Sequence, residues 1–132
     1  MRIAFINVVM DGDYQYIQEV PLGIASLAAF LREKGYAAPI CQCPGSQGDE
    51  GFAAAAAMEA DVYAFQLTMV NFLAVRRCIA LIRAVRPQAF VVCGGPFLVT
   101  ISEEILANEK SIDFIVLGEG EYTLLELQIG RA

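Results

Sequence analysis

The residues best placed to shape a ligand site in this chain are glycines at the ends of short apolar runs. Phe90-Val91-Val92-Cys93 stops at Gly94-Gly95-Pro96, and Ile112 to Leu117 stops at Gly118-Glu119-Gly120-Glu121. In an open α/β sheet, buried parallel strands read as continuous apolar runs, and ligands sit just beyond their carboxyl ends. Glycine there lets the backbone turn sharply and lets a bulky ligand approach the main chain. The chain has no histidine, which removes His-dependent triads, the common zinc sites and a His axial ligand. Cys41, Cys43, Cys78 and Cys93 make no Cys-x-x-Cys pair, and Cys41-x-Cys43 is too tight for ordinary zinc spacing. All four read as small buried thiols in a reducing compartment, although Cys93 stands beside the glycine pair. No residue is assigned a catalytic or metal-binding role.

The elements that position these glycines follow from periodicity. Arg2 to Val8 is a dense β-branched and aromatic run suited to a central strand. A long loop from Val9 to Val20 carries Asp11, Gly12, Asp13, Tyr14 and Tyr16. Pro21-Leu22-Gly23 opens a helix whose stripe is Ile24, Leu27, Ala28 and Leu31, with Gly35 at its C′ position. Ala37 to Cys43 is a weaker strand, and Pro39 argues for an edge. Pro44 to Gly51 reads as a loop and the alanine-rich Phe52 to Ala60 as a helix. Asp61 to Leu67 is the third strand; Thr68 to Asn71 links it to a helix striped by Val75, Cys78, Ile79 and Ile82 and stopped before Pro87. Ala89 to Cys93 is the fourth strand. Thr100 and Glu103 have capping-box spacing for a fourth helix. Ile112 to Leu117 is the fifth strand and Tyr122 to Ile129 a closing helix. Such βα alternation with short connections predicts a five-stranded parallel sheet, doubly wound and flavodoxin/Rossmann-like, in order 2-1-3-4-5, with the ligand crevice between the first and third strands.

Several tenants of that fold fail on their residues. A phosphoacceptor receiver needs an aspartate ending the third strand, where Gln66 and Leu67 stand. A flavodoxin-type phosphate loop needs hydroxyls after the first strand, where this chain has Asp11 and Asp13, which repel phosphate. Gly118-x-Gly120 lacks the third glycine of a dinucleotide fingerprint, with Thr123 in its place, and Glu119 and Glu121 carry the wrong charge for pyrophosphate. Those two glutamates also have a purely structural use, since acidic residues suit a helix N-terminus. The net charge of -6 and the absence of a basic stripe argue against nucleic acid.

Three motifs in order, Pro21 to Tyr36 (PLGIASLAAFLREKGY), Val91 to Pro96 (VVCGGP) and Asp113 to Glu121 (DFIVLGEGE), resemble the cobalamin (vitamin B12)-binding domain found ahead of many radical S-adenosylmethionine enzymes. The resemblance covers nearly the whole chain. It implies a cofactor lying flat across the carboxyl ends of the strands, with its nucleotide tail reaching down beside the sheet. It places Val8, Val9, Met10, Leu22 and Gly23 around the corrin and Thr68 against the tail or the corrin amides. Gly94 and Gly95, followed by Pro96, match the glycine pair whose missing side chains make room for the tail, and Gly118, Glu119, Gly120 and Glu121 match the closing turn. The mutase type of this family ligates cobalt from an Asp-x-His-x-x-Gly loop. Without histidine this chain cannot, and Val70, Met69 or water would face the lower side, as in the radical-enzyme branch.

Nothing resembles the Cys-x-x-x-Cys-x-x-Cys loop of a radical domain. Residues 1–132 are therefore expected to form one domain, either a stand-alone binding module or, as is favoured, part of a longer protein. Its own C-terminal catalytic domain would be the partner and would carry S-adenosylmethionine and the 4Fe-4S cluster. This domain alone would not be catalytic; the whole protein would be a methyltransferase or related iron–sulfur enzyme. The alternative is a non-catalytic flavodoxin-like docking domain that has lost the cofactor. Asp11 and Asp13 stand where a leader's cleavage site would be, and the apolar stretch from Val20 to Phe30 falls short of the roughly 18 residues a membrane span needs. A cytoplasmic protein with no membrane contact is the expectation.

Overall fold

The computed structural model describes residues 1–10 and 22–130. The expectations for Asp11, Gly12, Asp13, Tyr14, Tyr16 and Pro21 lie outside those residues. Ile3–Val9 forms strand β1, whose alternate side chains are buried on both faces. It is followed by helix α1 (Leu22–Glu33), strand β2 (Ile40–Pro44), a 3-10 segment (Gly45–Phe52), the short helix α2 (Ala53–Ala57) and strand β3 (Val62–Gln66). Helix α3 (Phe72–Val85), strand β4 (Phe90–Gly94), a 3-10 turn (Pro96–Val99), helix α4 (Ser102–Asn108), strand β5 (Phe114–Val116) and helix α5 (Glu121–Gln128) complete the order. The five strands pair in parallel in the order β2-β1-β3-β4-β5.

Strand alternation divides the core in two. Ile3, Phe5, Val62, Ala64 and Val92 face α1 and α5 and pack with Ile24, Ala28, Leu31, Leu124 and Leu127. Ala4, Ile6, Val8, Tyr63, Phe65, Val91 and Cys93 face the other way and pack with Phe52, Ala55, Val75, Cys78, Ile79 and Ile82. Strands buried on both faces are apolar at nearly every position; the exception in β1 is Asn7, whose Nδ2 donates to Gln42 Oε1 at 2.8 Å.

Helix ends follow local chemistry. Gly35, at φ 92, closes α1, with its N–H on the Arg32 carbonyl at 3.0 Å and the Tyr36 N–H on the Leu31 carbonyl at 3.1 Å. This is the paired pattern that a left-handed C′ glycine permits. The capping box expected at Thr100 and Glu103 does not form. Thr100 ends the preceding 3-10 turn at φ -95, ψ -19, away from the extended conformation an N-cap requires, and α4 begins without a side-chain cap. The alanine run is helical only over Ala53–Ala57, burying Ala55 alone. Helix propensity without a packed face sustains little length. The segment read as a loop from Pro44 winds into 3-10 turns instead, held to α3 by Asp49 and Arg77, whose two hydrogen bonds are 2.8 Å each.

The β4–β5 register is pinned by one carboxylate. Asp113 accepts from the Val91 N–H and from Arg83 Nη2, both at 2.8 Å, while Arg83 also donates to the carbonyls of Ala89 and Ser111. The Asp49–Arg77 pair, although it holds Asp49 below the usual carboxylate range through the Arg77 hydrogen bonds, is solvent-exposed. Exposed pairs contribute little because water screens them and two long side chains must be ordered. Asp113→Ala is therefore expected to lower unfolding free energy by roughly 1–3 kcal/mol by orphaning the Val91 N–H and removing the carboxylate from Arg83, whereas Asp49→Ala should leave the urea midpoint almost unchanged. Equal midpoint shifts in urea denaturation would contradict this ranking.

Candidate functional site

Where β1 and β3 diverge toward their connections, one side chain joins them. Asn71 is 3 % exposed, and its Nδ2 donates to the carbonyls of Val8 at 3.1 Å and Gln66 at 3.0 Å. Its Oδ1 accepts from the Thr68 N–H at 2.8 Å, and its own N–H donates to Thr68 Oγ1 at 3.1 Å. The Val8 carbonyl near the end of β1 and the Gln66 carbonyl at the end of β3 are thereby satisfied internally, and the β3–α3 link is closed on itself. Thr68, expected at the tail or corrin amides, has its hydroxyl committed to this knot.

Beside the knot, on the α1/α5 side, a cleft of about 570 Å³ opens at the carboxyl ends of the strands. That volume is within the usual range for cofactor sites. Its floor is the sheet face of Phe5, Ala64, Val92 and Val116; Leu22, Gly23, Ile24 and Leu27 of α1 form one wall, and Gly118, Gly120 and Leu124 another. Gln66, Gly94, Gly95, Pro96 and Val99 line its upper part. The space exists because small residues sit where strands would normally carry bulk: Ala64 in β3, and Gly94 in register with Gln66.

The two adjacent glycines do different things. Gly95 sits at φ 132, and a Cβ there would lie 2.7 Å from the Leu67 carbonyl oxygen. Its missing side chain serves the turn that folds over the end of β3, where the Leu67 N–H reaches the Gly94 carbonyl at 2.8 Å. Gly94 has no such constraint, since its added Cβ would meet only the Val116 carbonyl at 3.6 Å, an ordinary contact. Gly94 is thus the glycine that keeps space open in the cleft. At Gly120 a Cβ would come within 3.1 Å of Val116 and 3.5 Å of Leu27, so this glycine lets α5 start close against the sheet and α1.

Of the residues singled out in the sequence, Leu22, Gly23, Gly94, Gly95, Pro96, Gly118 and Gly120 come together around this cleft. Val8 faces the opposite core and contributes its carbonyl to Asn71. Val9 and Met10 are half-buried at the end of β1, Glu119 is exposed, and Glu121 occupies the first turn of α5. Met69 and Val70 are exposed. Leu22, Leu73, Val99, Leu117 and Tyr122 are exposed as well, and these apolar residues, the crown, stand on the loops and first helical turns that follow the strands. The floor residues Phe5, Ala64, Val92 and Val116 were not singled out, although two-residue alternation places them on one face once the strand order is known.

The thiols lie elsewhere. Cys93 is fully buried in the α3-side core, and burial, with Glu109 nearby, pushes it up to about 12. Cys41 and Cys43 stand on that same side of β2, sulfurs 3.8 Å apart. In Cys43 the contact with Cys41 lowers the pKa, but the contact with Cys78 and burial outweigh it, leaving it at about 12. Nucleophilic thiolate chemistry is thus disfavoured at neutral pH. Among the described residues, no cluster of three or more His, Cys, Asp or Glu could hold a metal ion.

A doubly wound parallel sheet with an apolar cleft at its carboxyl edge defines the flavodoxin-like class of α/β domain. Within it, the B12 binding domain family model matches residues 16–128, and the chain belongs to that family. Among solved structures, a CheY-like protein (tadZ) from Pseudomonas aeruginosa is similar at TM-score 0.53, covering 100% of this chain and 96% of that one, at 16% identity. That likeness is one of fold. No curated protein matches the chain.

Asn71→Leu is isosteric but cannot donate to the Val8 and Gln66 carbonyls. Unfolding free energy should fall by roughly 2–4 kcal/mol, the scale of orphaning buried backbone groups. A loss under about 0.5 kcal/mol in urea denaturation, below the usual worth of even one hydrogen bond, would show that the knot is not structural.

Proposed function

We propose that this chain is the cobalamin-holding module of a radical S-adenosylmethionine enzyme, a methyltransferase or related iron–sulfur oxidoreductase in the cytoplasm. The observation that carries the cofactor reading is the apolar cleft of about 570 Å³ at the carboxyl ends of the strands, in a chain of the B12 binding domain family. A corrinoid fits these residues. Leu22, Met69, Val70 and Val99 are exposed apolar side chains that a broad macrocycle could cover, and the cleft offers a slot for a narrower appendage. Cobalamin would supply a cobalt centre able to carry a methyl group. The chain's own part is to bind, orient and shield that group, because it has no histidine to ligate cobalt.

Catalysis, S-adenosylmethionine and the 4Fe-4S cluster belong, in this reading, to a C-terminal catalytic domain that closes over the crown. The exposed apolar residues of the crown support such a partner, since apolar side chains left in water gain by being covered. It would equally suit a flavodoxin-like docking domain without cofactor, which is the second reading. Among the described residues no helix is long and apolar enough to cross a membrane.

Titration of the protein with hydroxocobalamin, followed by visible absorbance and calorimetry, separates the two. The cofactor reading predicts saturable one-to-one binding. Gly94→Val, which adds bulk toward the cleft at a position without backbone strain, should weaken it by about tenfold or more while keeping the melting temperature, since lost complementarity in a pocket costs on the order of one to several kcal/mol. Gly95 is unsuitable for this purpose because any side chain there meets the Leu67 carbonyl. Absence of saturable binding would favour the docking domain.

A further inference from the structure

We propose that Cys41 and Cys43 form a two-thiolate site for a soft monovalent cation of the copper(I) kind, on the face of the sheet opposite the cleft. The inference is independent of the cofactor reading. The two residues stand two apart on β2, so strand alternation turns both side chains to the α3 side. Their sulfurs are 3.8 Å apart. Cys43 is buried, whereas Cys41 is half-buried on the edge strand of the described sheet. Cys41 thus gives a cation its approach, and Cys43 holds it away from water.

Two neighbouring thiols have two ordinary fates, a disulfide or a shared metal ion. The disulfide is disfavoured here. Residues two apart in a strand have Cα atoms about 6.6 Å apart, near the upper end of disulfide spans. The intervening Gln42 resists contraction, since it pairs with Asn7 and accepts from Asn7 Nδ2 at 2.8 Å. A shared ion needs no contraction. With metal–sulfur bonds of roughly 2.3 Å, sulfurs at the observed 3.8 Å already embrace an ion at a bent angle. A linear arrangement needs them less than about 1 Å further apart. Thiolates select soft cations, and of these copper(I) is satisfied by two ligands, whereas zinc takes four. Cys78 of α3 is fully buried and in contact with Cys43. Its S–H can donate to the bound thiolate, the kind of outer support that orients a ligand. Both thiols of the pair are protonated at neutral pH. On binding, their two protons pass to buffer, two copper–sulfur bonds form, and no electron is transferred.

The test is anaerobic titration of the reduced protein with copper(I) held by bicinchoninate, a chromophoric chelator that reports the ion it loses. One equivalent is expected to move to the protein. Cys41→Ser should weaken retention by about a hundredfold or more, since even changes outside the ligand set cost about 10–100-fold. Cys93→Ala, in the same core but on β4, should hold the ion as the unmodified protein does. Zinc, offered against its own chromophoric indicator, should bind at least about tenfold more weakly. The site is overturned if no copper moves, if Cys41→Ser holds it as tightly, or if Cys93→Ala loses it as fully. Equal zinc binding would overturn the choice of cation. Should Cys41→Ser fail to fold, copper X-ray absorption on the unmodified protein decides the matter: two sulfur neighbours support the pair, and nitrogen or oxygen neighbours in their place overturn it.

Discussion

The structure depends on one buried amide. In an order of β2-β1-β3-β4-β5 the chain leaves β1 in one direction and β3 in the other, so the two central strands part at their carboxyl ends. Backbone groups at that fork lose their ladder partners while still buried, and a buried carbonyl without a donor is expensive. Asn71 resolves this by donating to Val8 on one strand and Gln66 on the other, with Thr68 closing the link. Met69 and Val70 are carried on the link that these hydrogen bonds close.

What lies above the fork follows from side-chain size. Phe5 and Val92 make an ordinary apolar sheet face, but Ala64 between them and Gly94 at the strand end remove volume where α1 and α5 would otherwise pack down. Gly120 lets α5 approach closely at its start, so the space becomes a bounded cleft between two helices. Among the described residues the walls of the cleft carry no charge, and apolar walls suit a ligand that gains by leaving water. At its own strand end β3 closes on Gln66, an uncharged amide.

Much of the fold was legible in the sequence because its signals are local. Apolar runs fixed the strands, and Gly35 fixed the end of α1. The parallel order followed from alternation and size. The failures share a cause, which is that spacing alone does not determine backbone conformation. Thr100 and Glu103 have the right separation, but the Pro96–Val99 turn delivers Thr100 in helical φ/ψ. The alanine run has propensity but almost no face to bury. Asn71 read as linker because its partners, Val8 and Gln66, are 63 and 5 residues away and become neighbours only through the fork. The glycine pair was legible as a site, but not which glycine answers to the ligand and which to the Leu67 carbonyl. The cleft floor was latent in the alternation of four strands and emerges only when their register is known.

The central claim is that a corrinoid occupies the α1/α5 side of this sheet, and hydrogen–deuterium exchange with and without hydroxocobalamin tests it most directly. Exchange reads local opening across the whole chain, so it locates the ligand without a variant. The account predicts slowed exchange in the first turns of α1 and α5 and in the Gly94–Val99 turn, with α2 and the far half of α3 unaffected. Protection confined to the α2/α3 side, or none at saturating ligand, would contradict it.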